Sequence, residues 1–199
     1  MRIFYDLEFS ERGNAHPIIP ISVGMVREDG AEFYAVFKGL KPARCNEWVR
    51  QNVLPLLPPE DDPAWMTQAE ACERLVAFCG PRPEFWASYG AYDHVCLYQL
   101  FGAMVDLPEG WPKWTRDLQF LLQITSFPKD RLPEQTEAEH NALHDARALK
   151  AQWEAVMGAV MLARSFAGGQ GAVLTDLTDR HLVAADTPLG FDPDDYPVY

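Results

Sequence analysis

Asp6 and Glu8 stand two residues apart in the segment RIFYDLEF (residues 2–9). Its β-branched and aromatic residues predict a strand, on which both carboxylates point to one face. Ile3, Phe4 and Tyr5 just before them are apolar on both faces, the pattern of a central strand whose end carries two acids. Asp93 follows a short apolar run, 85–89, in the opening turn of a helix predicted from about Tyr92 to Phe101. His140 and Asp145 lie at the start of a long helical pattern. Five residues rotate a helix by about 500°, so these two cannot share a face if both are helical. Asp145 is therefore expected inside the helix, and His140 in the preceding loop or first turn. Each acid alone has an ordinary reading, as the wet face of a strand or as a first-turn acid favoured by the helix dipole.

Together they support a specific chemistry. Two acids on the first strand, one after a later strand and one on the last helix can meet at one end of a single sheet. Four unpaired carboxylates there would repel one another, and their pKa values would rise unless cations were bound. Oxygen ligands in that number suit two Mg²⁺ or Mn²⁺ ions rather than zinc. Two such ions ~3.5–4 Å apart stabilise both the attacking and the leaving oxygen of an in-line phosphoryl displacement. A neighbouring imidazole is the side chain suited to taking the proton of the attacking water.

The elements that must position these residues follow from the same sequence. Strands are expected at 2–9, 18–26 and 31–37, the last two joined across Glu28-Asp29-Gly30, a turn favouring positive φ. Helical periodicity over 45–54 gives way to a loop broken by Pro55, Pro58, Pro59 and Pro63. Thr67 with Glu70 forms a capping box that starts a helix reaching about Phe78. A strand at 85–89, the helix through Phe101, a short strand at 114–118 and a helix near 119–124 complete the middle of the chain. The final helix, about His140 to Ser165, buries Ala142, Ala146, Leu149, Trp153, Val156 and Val160 along one stripe. This order predicts an α/β fold: a mixed five-stranded sheet flanked by helices, ribonuclease H-like.

Hydrophobic residues make up 48% of the 199, enough for one globular domain, and no apolar run is long enough to span a bilayer. The N-terminus lacks a signal architecture, so the cytoplasm is the expected compartment. Cys45, Cys72, Cys79 and Cys96 form no C-x-x-C pair and read as buried free thiols. The net charge of −12 argues against a generic nucleic-acid binder that tracks phosphates over a long surface. It predicts short, site-focused contact with a substrate. Residues 167–199 hold six aspartates against Arg180 alone, and read as an acidic tail appended to a domain at 1–166.

The motifs resemble the DEDDh exonuclease superfamily: Asp6-Leu7-Glu8 matches its D-x-E, Asp93 its second motif, and His140 with Asp145 its H-x4-D. The strings FYDLEF, ISVGMV, FYAV, WVRQNVLP, GAYDHVCLYQLFG, TRDL and HNALHDA are similar to the RNase AS group of polyadenylate-specific exoribonucleases, over roughly residues 1–160. The resemblance implies that Asp6 bridges both metals, that Glu8 and Asp145 complete the first site, and that Asp93 serves the second. It implies His140 as general base and the 3′ end of single-stranded RNA as substrate, with an adenylate preference, in a homodimer. Leu7, Phe9 and Tyr92 flank the acids and could stack on terminal bases, and Arg116 could meet a phosphate, against core packing or an ion pair as the ordinary alternatives. His144 creates an H-x3-H pair with His140, but Asn141 stands where a zinc protease needs Glu, so a surface or supporting place is expected. Two rival readings keep the same scaffold: a DNA 3′→5′ exonuclease or proofreading-type module acting on single-stranded DNA, and a non-catalytic interaction module.

Overall fold

The computed structural model of the protein describes residues 1–14 and 16–168, with side chains through residue 165. Two compact units divide the chain, Met1–Val156 and Met157–Tyr199. The first holds the sheet and the acidic residues; the described backbone of the second is helical and ends at Gly168. The expected tail at 167–199 lies outside the described residues except for Ala167 and Gly168, which close that helix.

β1 (Arg2–Ser10), β2 (Ile19–Arg27) and β3 (Glu32–Phe37) form an antiparallel meander, at the three strands expected. The turn between β2 and β3 closes with Arg27 N–H donating to Ala31 O at 2.8 Å, and Gly30 supplies the positive φ of 89° that the turn requires. β5 (Glu84–Ala87) runs parallel to β1 on its other side, and β6 (Arg116–Asp117) runs parallel to β5. The sheet has six strands in the order β4-β3-β2-β1-β5-β6, not the five expected. The additional strand, β4 (Trp65–Met66), pairs with Val36 and Phe37 from inside the proline-rich loop. Two residues are too few to leave an alternation signal.

Five α-helices accompany the sheet among the described residues: α1 (Glu47–Asn52), α2 (Gln68–Cys79), α3 (Ala91–Phe101), α4 (Leu118–Thr125) and α5 (Ala142–Gly168). The α2 capping box forms as expected. Thr67 Oγ1 accepts from Glu70 N–H, and the Glu70 carboxylate accepts from Thr67 N–H at 2.7 Å. On one face of the sheet Ile3, Tyr5, Leu7, Val23, Met25 and Ala35 build the main core with Leu75, Cys79, Leu97 and Leu100 of α2 and α3. The alternation of β1 sends Phe4, Asp6 and Glu8 to the other face, where Phe4 meets Trp153 of α5 with ring centroids 5.3 Å apart. Cys45, Cys72, Cys79 and Cys96 are all free thiols, and Cys72 alone is partly exposed. No helix among the described residues is long and apolar enough to cross a membrane.

Candidate active site

Asp6 and Glu8 sit at the carboxyl half of the central strand, and Asp145 reaches them from the first turn of α5. Ligand oxygens of these three lie within 4.8 Å of one another. The approach depends on Gly24, which pairs across the sheet with Asp6. A β-carbon on Gly24 would stand 2.2 Å from the carbonyl carbon and oxygen of Ala142 and from the nitrogen of Leu143. These are backbone atoms, so no rotamer change can relieve the clash. Gly24→Ala is expected to push the start of α5 outward and lower turnover by ~10²-fold, the scale of a 1 Å misplacement. Unchanged turnover by a folded G24A protein, with folding checked by circular dichroism, would show that α5 can back away freely.

Asn141 fixes where α5 begins: its Oδ1 accepts from Leu143 N–H at 3.1 Å and its carbonyl from Asp145 N–H at 3.0 Å. His140 therefore stays outside the helix, in a left-handed conformation with φ 64°. Its N–H donates to Asp145 Oδ2 at 3.0 Å, while Gln135 Nε2 donates to Oδ1 at 2.5 Å. The imidazole packs edge-on against the Trp48 ring, centroids 4.8 Å apart. Asp145 thus leaves the loop with both oxygens oriented, and His140 stands beside it.

Asp93 joins from the opposite edge of β1. Pairing of β1 with β5 ends at Phe4 and Trp86, so the Leu7 N–H has no strand partner there. Asp93 Oδ1, at the start of α3, accepts it at 3.0 Å. The neighbouring His94 ties α3 to the back of β1. Tyr98 donates its proton to Pro112 O at 2.8 Å, so it must accept from His94 Nε2–H at 2.6 Å. His94 Nδ1 then accepts from the Tyr5 hydroxyl at 2.8 Å. Burial holds the His94 pKa down to about 4, in keeping with this neutral form. Asp117, not singled out from the sequence, fastens the turn before α3. Its two oxygens accept from Gly90 N–H at 2.9 Å and Gln119 N–H at 2.7 Å. A one-off Asp in a two-residue strand carries no periodic signal, although TRDL was a conspicuous string.

Burial, then the charges of Asp93, Glu8 and Asp145, pushes the Asp6 carboxyl well above the usual range. Burial and Asp145 lift Glu8 to about 8, and burial with Asp117 and Asp145 nearby lifts Asp93 to about 7. Asp145 is raised too, by burial, against the hydrogen bonds from Gln135 and His140. No Lys or Arg among the described residues forms an ion pair with any of the four. Ser22, paired with Glu8 across the sheet, is fully buried beside the Tyr34 hydroxyl. An all-oxygen donor set without its own counter-charge fits a divalent cation.

The sequence model of the Rv2179c-like 3′-5′ exoribonuclease domain matches residues 1–157. The chain belongs to that family. It is 44% identical over 151 residues to the 3′-5′ exoribonuclease Rv2179c of Mycobacterium tuberculosis strain H37Rv, covering 74% of this chain and 88% of the relative. The same figures hold for the 3′-5′ exoribonuclease MT2234.1 of strain CDC 1551. A solved structure of exonuclease I superposes with a TM-score of 0.53 at 17% identity, covering 79% of this chain. The chain spans 40% of the exonuclease I chain, so that likeness shows the fold alone. The resemblance drawn from D-x-E, GAYDHV and H-x4-D is borne out, with the ribonuclease H-like α/β fold and the 3′→5′ exoribonuclease class.

Around the acids, this exoribonuclease-family chain departs from the expectations in two places. Leu7 is 3% exposed and points into the core on the face opposite Asp6 and Glu8, so its side chain has no surface for a base. Arg116 lies level with Phe4, two strands aside. It pairs with Glu84 at 3.3 Å and lies over the rings of Trp86 and Trp114. Phe9 and Tyr92 do form a pair, stacked at 5.8 Å with planes 11° apart, and Tyr92 is 53% exposed. Phe9 packs against the main core on the same side of β1 as Leu7, and the register with β2 shifts between Glu8 and Phe9. His144 faces the preceding loop, with Nε2 3.4 Å from Glu137 and Nδ1 3.2 Å from Ala138 O.

Proposed function

We propose that the protein removes nucleotides one at a time from the 3′ end of single-stranded RNA, by metal-dependent hydrolysis at the acidic cluster. The close approach of Asp6, Glu8 and Asp145 in a chain of this family carries the reading. Asp6, Glu8 and Asp145 would hold one Mg²⁺ or Mn²⁺, and Asp93 with Asp6 a second. Bound there, the cations would acidify the attacking water and offset the charge on the transferring phosphoryl group. His140 accepts that water's proton, since no hydrogen bond occupies either ring nitrogen among the described residues. Asp145 keeps its orientation through Gln135 and the His140 N–H while the proton moves. The half-exposed Tyr92 ring, backed by Phe9, offers a stacking surface for the terminal base.

The adenylate preference and the homodimer enter this reading from the family resemblance. Residues 1–166 as the catalytic domain and 167–199 as an acidic appendage enter it from the charge pattern of the sequence. The cytoplasm suits four free thiols, which a reducing compartment keeps reduced. A 5′-labelled RNA oligonucleotide should shorten stepwise with Mg²⁺ or Mn²⁺, and EDTA should stop the ladder. Poly(A), poly(U) and single-stranded DNA in parallel decide base and sugar preference, and sedimentation of the same preparation gives its oligomeric state. Clean, metal-loaded protein that leaves every RNA intact would overturn the reading.

A further inference from the structure

We propose that Trp48 is a positioning residue for His140, holding the imidazole beside the acidic cluster. The inference rests on the reading of His140 as the general base. The His140 backbone is pinned at φ 64° by its N–H bond to Asp145 Oδ2, but that bond leaves both side-chain torsions free. No hydrogen bond among the described residues reaches a ring nitrogen. The ring contact is with Trp48, whose plane stands at 83° to the imidazole with centroids 4.8 Å apart. This near-perpendicular arrangement is a favoured geometry for an aromatic pair.

Trp48 can act as a reference surface because its own helix is tied to the strand of acids. Asn46, which caps α1, donates its N–H to Ser10 Oγ at 2.9 Å and its Nδ2 to Glu11 O at 3.1 Å. Both acceptors lie just past Glu8 at the end of β1. From below, α1 is seated by Val49 and Val53, buried with Ile21 and Cys45, and Trp48 packs against that cluster. The chain of contacts therefore runs from Asp6 and Glu8 along β1, through Asn46 to Trp48, and across to His140. Acids and base share one frame, although residues 48 and 140 are far apart in sequence.

A residue that only orients the base should affect kcat, and only while the base is present. The test is a double-mutant cycle of Trp48→Ala and His140→Ala, with Trp48→Phe alongside, on a 5′-labelled RNA oligonucleotide with Mn²⁺. Trp48→Ala should lower kcat by ~10–10²-fold with KM unchanged. Trp48→Phe should recover most of the loss, and in the H140A background W48A should cost nothing further. The rise in Tm on adding Mn²⁺ should be preserved in W48A, which separates lost orientation from a collapsed site. Equal losses in both backgrounds, a loss carried by KM, or a vanished Mn²⁺ shift would each overturn the proposal, as would unchanged turnover by W48A. If H140A itself turns over like wild type, the base assignment has failed and this inference with it. An impaired H140A beside an unimpaired W48A removes the Trp48 role alone.

Discussion

Asp6→Asn is expected to lower turnover by at least ~10³-fold, the scale of losing one preorganised electrostatic contact to the transition state, while making the metal-free protein more stable at neutral pH. Both halves come from the same crowding. Asp6 is crowded by Glu8 and Asp145 and feels the charge of Asp93, and burial with those charges holds its carboxyl well above the ordinary range. Glu8 is lifted to about 8 and Asp93 to about 7. Because these pKa values are raised, the folded protein binds more protons than the unfolded chain between about pH 4 and about pH 8. Its stability is therefore greatest at the acid end of that window and declines as pH climbs through it. The amide keeps the shape of the carboxylate and removes one charge, so D6N should exceed wild type in Tm in EDTA, more at the alkaline end than at the acid end. Mn²⁺ should raise the wild-type Tm and move D6N far less, because a cation offsets the repulsion only where the ligands remain. A D6N protein less stable than wild type in EDTA near pH 8 would contradict this account of the cluster.

The sequence disclosed the site better than the frame that closes it. β1 to β3 were readable because each runs six residues or more with an apolar pattern, and the Thr67–Glu70 box marked α2 without help from tertiary contacts. The five-residue spacing of His140 and Asp145 left the histidine to the preceding loop or the first turn, and Asn141 with a left-handed His140 keeps it out of α5, which begins at Ala142. Leu7 could have been set aside on the same logic, since a residue between two acids on a strand faces away from both. Other features were illegible for a physical reason. Gly24 matters because a helix more than a hundred residues later rests on it, and Trp48 meets His140 only through the docking of α1. The Trp65–Met66 strand is a two-residue element that tertiary pairing creates, and Asp117, inside the short strand expected at 114–118, carries nothing in its spacing that marks its bond to Gly90. Long-range juxtaposition leaves no trace in local spacing.

His140→Ala is expected to lower kcat by ~10²–10⁴-fold, the usual share of a general base, whereas His144→Ala should cost less than about tenfold. The two imidazoles are four residues apart, yet their surroundings differ in kind. His144 lies in the first turn of α5 with both nitrogens turned to residues 137 and 138, and Glu137 is itself engaged by Arg147 at 2.8 Å. It ties the loop to the helix from a partly exposed position, where an ion pair contributes ~0–1 kcal/mol. His140 donates its backbone N–H, not its ring, to Asp145. Alanine at 140 therefore removes the proposed base while leaving the Asp145 carboxylate held by Gln135 and by the same backbone bond. The Mn²⁺-induced rise in Tm should accordingly survive in H140A even as kcat falls, in contrast to D6N, where both are lost. Should H144A prove the more damaging substitution, or H140A lose its Mn²⁺ response, His140 serves the acids rather than the water, and the base must be sought elsewhere.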